Sequence, residues 1–232
     1  MLKDKTFWGI HPGKLGEAES QFRDKNVVAL GWAKIGDLSH TKTRDDVKNI
    51  YEKNYPEAKK GAISIHVGIL YRFMHEMKKG DIVIFPSKIS PEILIGEIRG
   101  DYEYDSSALY PHIRKISWLK NYARTKFSQG ALYEIGSAMT FFQVKNYADE
   151  FAAAIEGGEY LPRDEEVEDE TIEVVADDIA QQSNDFVMKQ ISTKLKGHGL
   201  AEFVEHILNI MGYKTKISKP GPDRGIDIIA YK

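Results

Sequence analysis

The sequence predicts an α+β fold in two parts, and three observations carry that prediction. Short apolar runs bounded by glycine, such as Phe7-Trp8-Gly9-Ile10 and Val27-Val28-Ala29-Leu30-Gly31, suit buried strands. Elsewhere apolar residues recur at helical spacing, as in Ile65, Ile69, Leu70, Phe73 and Met77. Finally, Glu156 through Asp178 holds eleven acids and one base, with Gly157, Gly158 and Pro162 at its start. Such a run repels itself and buries little apolar surface, so it reads as a linker. The expected organisation is residues 1–152 as a curled, mostly antiparallel sheet with helices, 153–172 as the acidic linker, and 173–232 as a second α/β unit.

Element by element, Thr6 to Ile10 and Asn26 to Trp32 are the first strands. Arg44 to Asn54 and Ile63 to Met77 are helices, and Lys79-Gly80-Asp81 turns the chain into the strand Ile82-Val83-Ile84-Phe85-Pro86. Ile93 to Ile98 and the segment around Tyr102 form a pair of strands, and Ile113 to Trp118 another. Beyond the linker, residues 199 to 211 are an amphipathic helix closed by Gly212, Tyr213 to Ile217 a strand, and a Pro/Gly turn delivers Asp227 into the apolar run Ile228-Ile229-Ala230.

Composition narrows the function classes. A chain of 232 residues with 42% hydrophobic and 29% charged residues is ordinary for a soluble protein. It has no apolar stretch long enough to span a bilayer, no signal-peptide core after Met1-Leu2-Lys3-Asp4-Lys5, and no cysteine, which excludes disulfides and thiolate metal sites. A cytoplasmic location with no membrane partner is expected. The seven histidines form no short metal-ligand spacing, Gly13 to Gly16 lacks a P-loop ending, and Ser, His and Asp are too scattered for a triad.

Charge is unevenly distributed. Residues 1–150 carry 23 Lys and Arg against 19 Asp and Glu, whereas residues 151–232 carry 9 against 16. From Ser106 to Tyr133 no acid occurs, while Arg114, Lys115, Lys120, Arg124 and Lys126 alternate with Trp118, Tyr122 and Phe127. Cations neutralise phosphates and flat rings stack on unpaired bases, so this stretch points to nucleic acid, with Arg114, Lys120, Arg124 and Lys126 as candidate phosphate contacts. The competing reading is a solvated edge whose aromatics fill the core. The acid run has its own alternative, a DNA mimic lying on a basic face.

An acid opening a buried strand also requires compensation by a cation or hydrogen bonds, and Asp227 occupies that position. Here Lys196-Gly197-His198-Gly199-Leu200-Ala201-Glu202-Phe203-Val204-Glu205, Met211-Gly212-Tyr213 and Pro220-Gly221-Pro222-Asp223-Arg224-Gly225-Ile226-Asp227 resemble the Mrr-type restriction endonucleases, which share the PD-(D/E)xK core. The resemblance runs from about Asp178 to Lys232. It implies that Asp227 binds Mg²⁺ at the first core strand, and that a partner strand bears Gln or Glu, a spacer and Lys. The sequence contains no such strand, so this chain alone is expected to bind DNA without cleaving it. Glu202 and Glu205 share a helix face, and Glu205 is the candidate second acid, with Phe203, Ile207, Leu208 and Met211 expected to face the core. Asp223 reads as a turn residue, and His198 as a helix cap or a phosphate contact.

The N-terminal order of elements resembles the PUA-like superfamily, and within it the EVE modules. Gly31-Trp32, Met77-Lys78-Lys79-Gly80-Asp81, Ile95-Gly96-Glu97-Ile98, Tyr102, His112, Arg114 and Trp118 carry that resemblance. It implies a nucleic-acid reader that inserts a modified base into an aromatic pocket. Trp32, Trp118 and Tyr102 are the candidate walls, each with a competing core role, while Trp8 reads as core. Ser39, Asp37 and Ser87 are candidates for the base edge, with Asp37 read preferentially as a turn residue. Together the two resemblances imply a modification-dependent DNA endonuclease, with a homodimer as the candidate assembly because double-strand cutting asks for two sites. The alternative is a non-catalytic reader of modified DNA or RNA whose nuclease-derived segment serves association.

Overall fold

The computed structural model describes residues 2, 4–158, 184, 187–188, 190–191, 194–195, 198–217 and 227–232. The acidic run beyond Gly158, and the turn containing Asp223, Arg224 and Gly225, lie outside the described residues. The chain divides into two units, residues 1–178 and 179–232.

In the first unit the apolar runs alternate between two cores. Strands β1 (Phe7–Ile10), β3 (Ile82–Pro86) and the first half of β4 (Glu92–Tyr104) are buried nearly throughout. Trp8, Val83, Phe85 and Leu94 point into one core, whereas Phe7, Ile82, Ile84, Ile93 and Ile95 point into another. A strand buried on both faces reads as a continuous apolar run, which explains the pattern in the sequence.

Six strands form this sheet in the order β2-β5-β4-β3-β1-β6, where β2 is Val27–Leu30, β5 is His112–Ala123 and β6 is Phe141–Val144. All pairs are antiparallel except β1 with β3. The expected pair of strands around Ile95 and Tyr102 is one long strand, irregular between Ile95 and Gly96 and again between Ile98 and Tyr102. Irregularities of this kind bend a strand and increase its twist, which curls the sheet.

Helices α1 (Glu19–Lys25), α2 (Arg44–Asn54) and α3 (Lys60–Tyr71) supply the first core, and α4 (Gln129–Ile135) and α5 (Ala148–Glu156) the second. Helix α2 starts where the sequence places it, because Thr43 and Asp46 form a reciprocal capping box. The expected helix ending at Met77 gives way at Arg72 to a π-helical turn, Arg72–Glu76, closed by the Met77 N–H on the Arg72 carbonyl at 2.9 Å. Helix α5 extends past residue 152, since Ala154 is buried and its carbonyl accepts from the Tyr122 hydroxyl at 2.5 Å.

Besides scattered helical residues between 184 and 194, the described part of the second unit holds α6 (His198–Ile210) and an antiparallel pair of strands, β7 (Lys214–Ile217) and β8 (Ile228–Tyr231). Gly212, at φ +86°, follows the helix as expected. The expectation that Phe203, Ile207 and Met211 face a core does not hold: all three are exposed by a third or more. Two strands are too narrow to cover the apolar stripe of a 13-residue helix. Among the described residues no helix is long and apolar enough to cross a membrane.

Candidate nucleic-acid pocket and acidic pair

A cavity of about 420 Å³ opens beside the end of β1. Its lining includes His11, Lys14, Trp32, Lys88, Tyr110 and Ser137. Pockets of about 300–1,000 Å³ hold small organic groups, and an aromatic lining with a few polar atoms suits a flat one.

Each wall is positioned by identifiable bonds. Tyr110 sits in the turn between β4 and β5, where Gln21 clamps its main chain by donating to the carbonyl at 2.8 Å and accepting the N–H at 3.0 Å. Lys88 follows Ser87 in the loop after β3, and the buried Glu19 accepts from the Ser87 hydroxyl at 2.7 Å and the Lys88 N–H at 3.2 Å. Gly13 adopts φ +97°, strained for any residue with a side chain, and a Cβ there would also displace the Glu17 carboxylate and the Tyr110 hydroxyl.

Trp32 is held most elaborately. It adopts φ +55°, a region costly for a bulky residue, and so must be fixed from outside. The Leu38 N–H donates to the Tyr102 hydroxyl at 3.3 Å, which donates to His112 Nδ1 at 2.8 Å, leaving His112 Nε2 to face the Trp32 carbonyl at 3.5 Å. On its other side the Trp32 ring tilts against His66 at 5.2 Å, and His66 Nδ1 lies 2.7 Å from the Tyr51 hydroxyl. Burial pushes the Tyr102 hydroxyl pKa up and brings His112 down to about 4, so both stay neutral.

His11 is the unusual group of the cavity. It is 7% exposed, and neither ring nitrogen completes a hydrogen bond of good geometry, although the Ser137 main chain lies close enough to favour the charged ring. Burial, followed by the positive charge of Lys88, lowers its pKa to about 3; the Ser137 main chain opposes the fall, and Arg124 adds to it. A neutral imidazole offers one donor and one acceptor, and a buried pair left unpartnered costs free energy until a ligand or water satisfies it.

Of the residues selected from the sequence, only Trp32 lines this cavity. Tyr102 stands behind Trp32 and positions it. Trp118 belongs to another part of the core, tilted against Phe85 at 5.9 Å with its indole N–H on the Phe22 carbonyl at 3.3 Å. Ser87 lies beneath the Lys88 wall, bonded to Glu19 and accepting from the N–H groups of Ile89 and Ser90. Ser39 is exposed and closes a turn on Asp37, whose carboxyl is held below its usual pKa first by the Ser39 N–H.

The cation series also divides. Arg114 is buried, with its guanidinium directed to the carbonyls of Phe73 (2.8 Å), Met74 (2.7 Å) and Gly100 (3.2 Å), so it supports the π turn instead of facing a phosphate. Arg124 is buried but close enough to depress the His11 pKa. Lys126 is exposed, and so is Lys120, whose ammonium lies over the Tyr122 ring at 5.8 Å. His11, Lys14, Lys88 and Tyr110 went unselected because His11-Pro12-Gly13 looks like an ordinary loop and the other three lie far apart in sequence.

In the second unit Asp227 immediately precedes β8, whose Ile228 pairs with Ile217. The strand and Asp227 are largely exposed, so the argument from the cost of burying this carboxylate does not apply. Glu205 is half-buried on α6, with Oε1 3.1 Å from the Thr215 hydroxyl of β7, a hydroxyl also 2.9 Å from Asn209 Oδ1. Hard cations take six or more oxygens, and among the described residues no group of three or more His, Asp or Glu could hold a metal ion.

Comparison with known families separates the two units in the same way. A family model described as a domain of unknown function, DUF8426, matches residues 8–145, more than half the chain. The chain belongs to that family. This DUF8426 segment contains the sheet apart from Phe7, and the cavity, and the PUA-like resemblance finds no counterpart in the match. A second model, described as restriction endonuclease, matches residues 192–232, the segment with α6, both paired strands, Glu205 and Asp227. That match supports a nuclease, with DNA as the substrate it implies. No curated protein and no solved structure matches the chain.

Proposed function

We propose that the chain belongs to a modification-dependent DNA restriction endonuclease, in which the DUF8426 unit reads an extruded modified base and the C-terminal segment is part of an Mrr-like hydrolase. The observation that carries the reader assignment is the cavity itself, lined by Trp32 and Tyr110, by an imidazole whose ring nitrogens complete no hydrogen bond, and by two lysines. Rings stack on the faces of an extruded base, imidazole bonds its edge, and ammonium groups meet its phosphate. The PUA-like resemblance supports the same use. In the nuclease half, Asp227 and Glu205 are the proposed acids and Mg²⁺ the proposed cofactor.

The test is binding to otherwise identical duplexes carrying cytosine, 5-methylcytosine, 5-hydroxymethylcytosine, its glucosylated form or N6-methyladenine, across a salt series. The reading expects one modified duplex to be preferred at high salt, and the preference to vanish in Trp32→Ala and Tyr110→Ala. Equal, salt-sensitive binding to every duplex would leave phosphate contacts alone and remove base reading.

A further inference from the structure

The three most exposed large apolar side chains described in the first unit are Leu15 (74%), Ile89 (72%) and Leu109 (63%). Single exposed apolar residues need no explanation. These three are not scattered, because each is the immediate neighbour of a cavity residue: Leu15 follows Lys14, Ile89 follows Lys88, and Leu109 precedes Tyr110. Two of their loops also meet, since a Cβ on Gly16 would lie 3.1 Å from Lys88 Cβ and 3.6 Å from Ile89 Cγ2.

The loops hold these side chains in water at a cost already met by folding. The Leu15 N–H donates to Glu17 at 3.1 Å, and the Ile89 N–H to the Ser87 hydroxyl, itself tied to Glu19. In the third loop Asp105 accepts the Ser107 N–H at 2.9 Å, and its carbonyl accepts the Ala108 N–H at 3.1 Å. Apolar tips fixed on ordered turns lose little further entropy when they enter an apolar gap.

We infer that Leu15, Ile89 and Leu109 form a wedge that enters a nucleic-acid duplex and fills the space vacated when a base moves into the cavity. This inference rests on the base-reading assignment above. Extruding a base forfeits pairing and stacking, and apolar side chains inserted between base steps recover part of that loss. A duplex is the favoured occupant because a lysine adjoins two of the tips, and because all three adjoin residues that line the cavity.

The experiment compares a fully paired duplex with the same duplex carrying a mismatch at the target base, using the full chain, affinity measurements and 2-aminopurine fluorescence at the target. In Leu15→Ser/Ile89→Ser/Leu109→Ser, affinity for the paired duplex should fall roughly tenfold or more and the fluorescence rise should disappear, while affinity for the mismatched duplex, whose opening is already cheap, stays within about twofold. The substituted side chains are exposed, so the variant should melt like the wild type. Equal losses on both duplexes, or no loss on either, would overturn the wedge. So would wild-type binding to anionic vesicles that the triple variant abolishes while paired-duplex binding persists. Failure of base reading is distinguishable: the wild type itself would then show no fluorescence rise and no effect of Trp32→Ala.

Discussion

Arg114→Met should unfold the first unit far more readily without touching a phosphate contact. The Phe73 and Met74 carbonyls belong to the π turn Arg72–Glu76, and Arg114 meets both at 2.8 and 2.7 Å, with a longer bond to Gly100 at 3.2 Å. Methionine preserves most of the apolar stem and removes all three donors. Each carbonyl left buried without a partner costs about 1–3 kcal/mol, and charge-assisted bonds are at the upper end of what a hydrogen bond contributes. Relief from burying the guanidinium, which already holds its pKa below the usual value, offsets part of this. The net loss should be about 3–5 kcal/mol. With a urea m-value of about 2 kcal/mol/M, the midpoint falls by about 2 M. Arg114→Lys, able to reach one carbonyl, should fall between. A shift under about 0.5 M for Arg114→Met would refute the assigned role. So would a fall of about 0.9 in the slope of log K against log salt on DNA with Arg114→Met, which removes the charge and would thereby reveal a phosphate contact.

Acid should destabilise the first unit well before the carboxylates titrate. His11 and His112 have folded pKa values of about 3 and about 4, both depressed by burial, so below the ordinary value of 6.5 the unfolded chain binds protons that the folded chain refuses. Stability is therefore lost as pH falls from about 6.5, at up to about 1.4 kcal/mol per pH unit for each group, with His112 ceasing to add near 4 and His11 near 3. Urea melts at pH 7.5 and 4.5 check this, and a His11→Gln variant with an unchanged pH slope would contradict it. Gly68→Ala, in the interior of α3, should gain about 0.5–1 kcal/mol from helix propensity, because the nearest obstacle at 3.2 Å is the guanidinium end of Arg44, whose exposed bond to the Ser64 carbonyl can shift by a few tenths of an ångström. A lowered melting temperature would show that Arg44 cannot move aside. Gly96→Ala should cost about 1–3 kcal/mol, since the new Cβ meets Ile116 Cδ1 at 2.7 Å and the Ser117 carbonyl at 3.0 Å, and a melt like the wild type would refute that crowding.

The strands and helices were legible wherever one residue type settles the local geometry: Thr43 with Asp46 for α2, the apolar runs for β1 and β3, Gly212 after α6. The parallel pairing of β1 with β3 was not, because more than 70 residues separate the partners Phe7 and Ile82 and no local signal fixes their register. The cavity was half legible for a related reason. Trp32 shows in the sequence as a tryptophan after an apolar strand, but Tyr102, also aromatic and also near the site, points its hydroxyl into the His112 relay that holds Trp32 in place. Ring type alone does not separate a wall from the frame behind it. A better signal was present in the loops: Leu15, Ile89 and Leu109 are apolar residues in polar turns, with no periodic partner that would bury them. Where the pattern that explains burial fails, an exposed leucine beside a lysine or a tyrosine marks the rim of a site more directly than the aromatic residues within it.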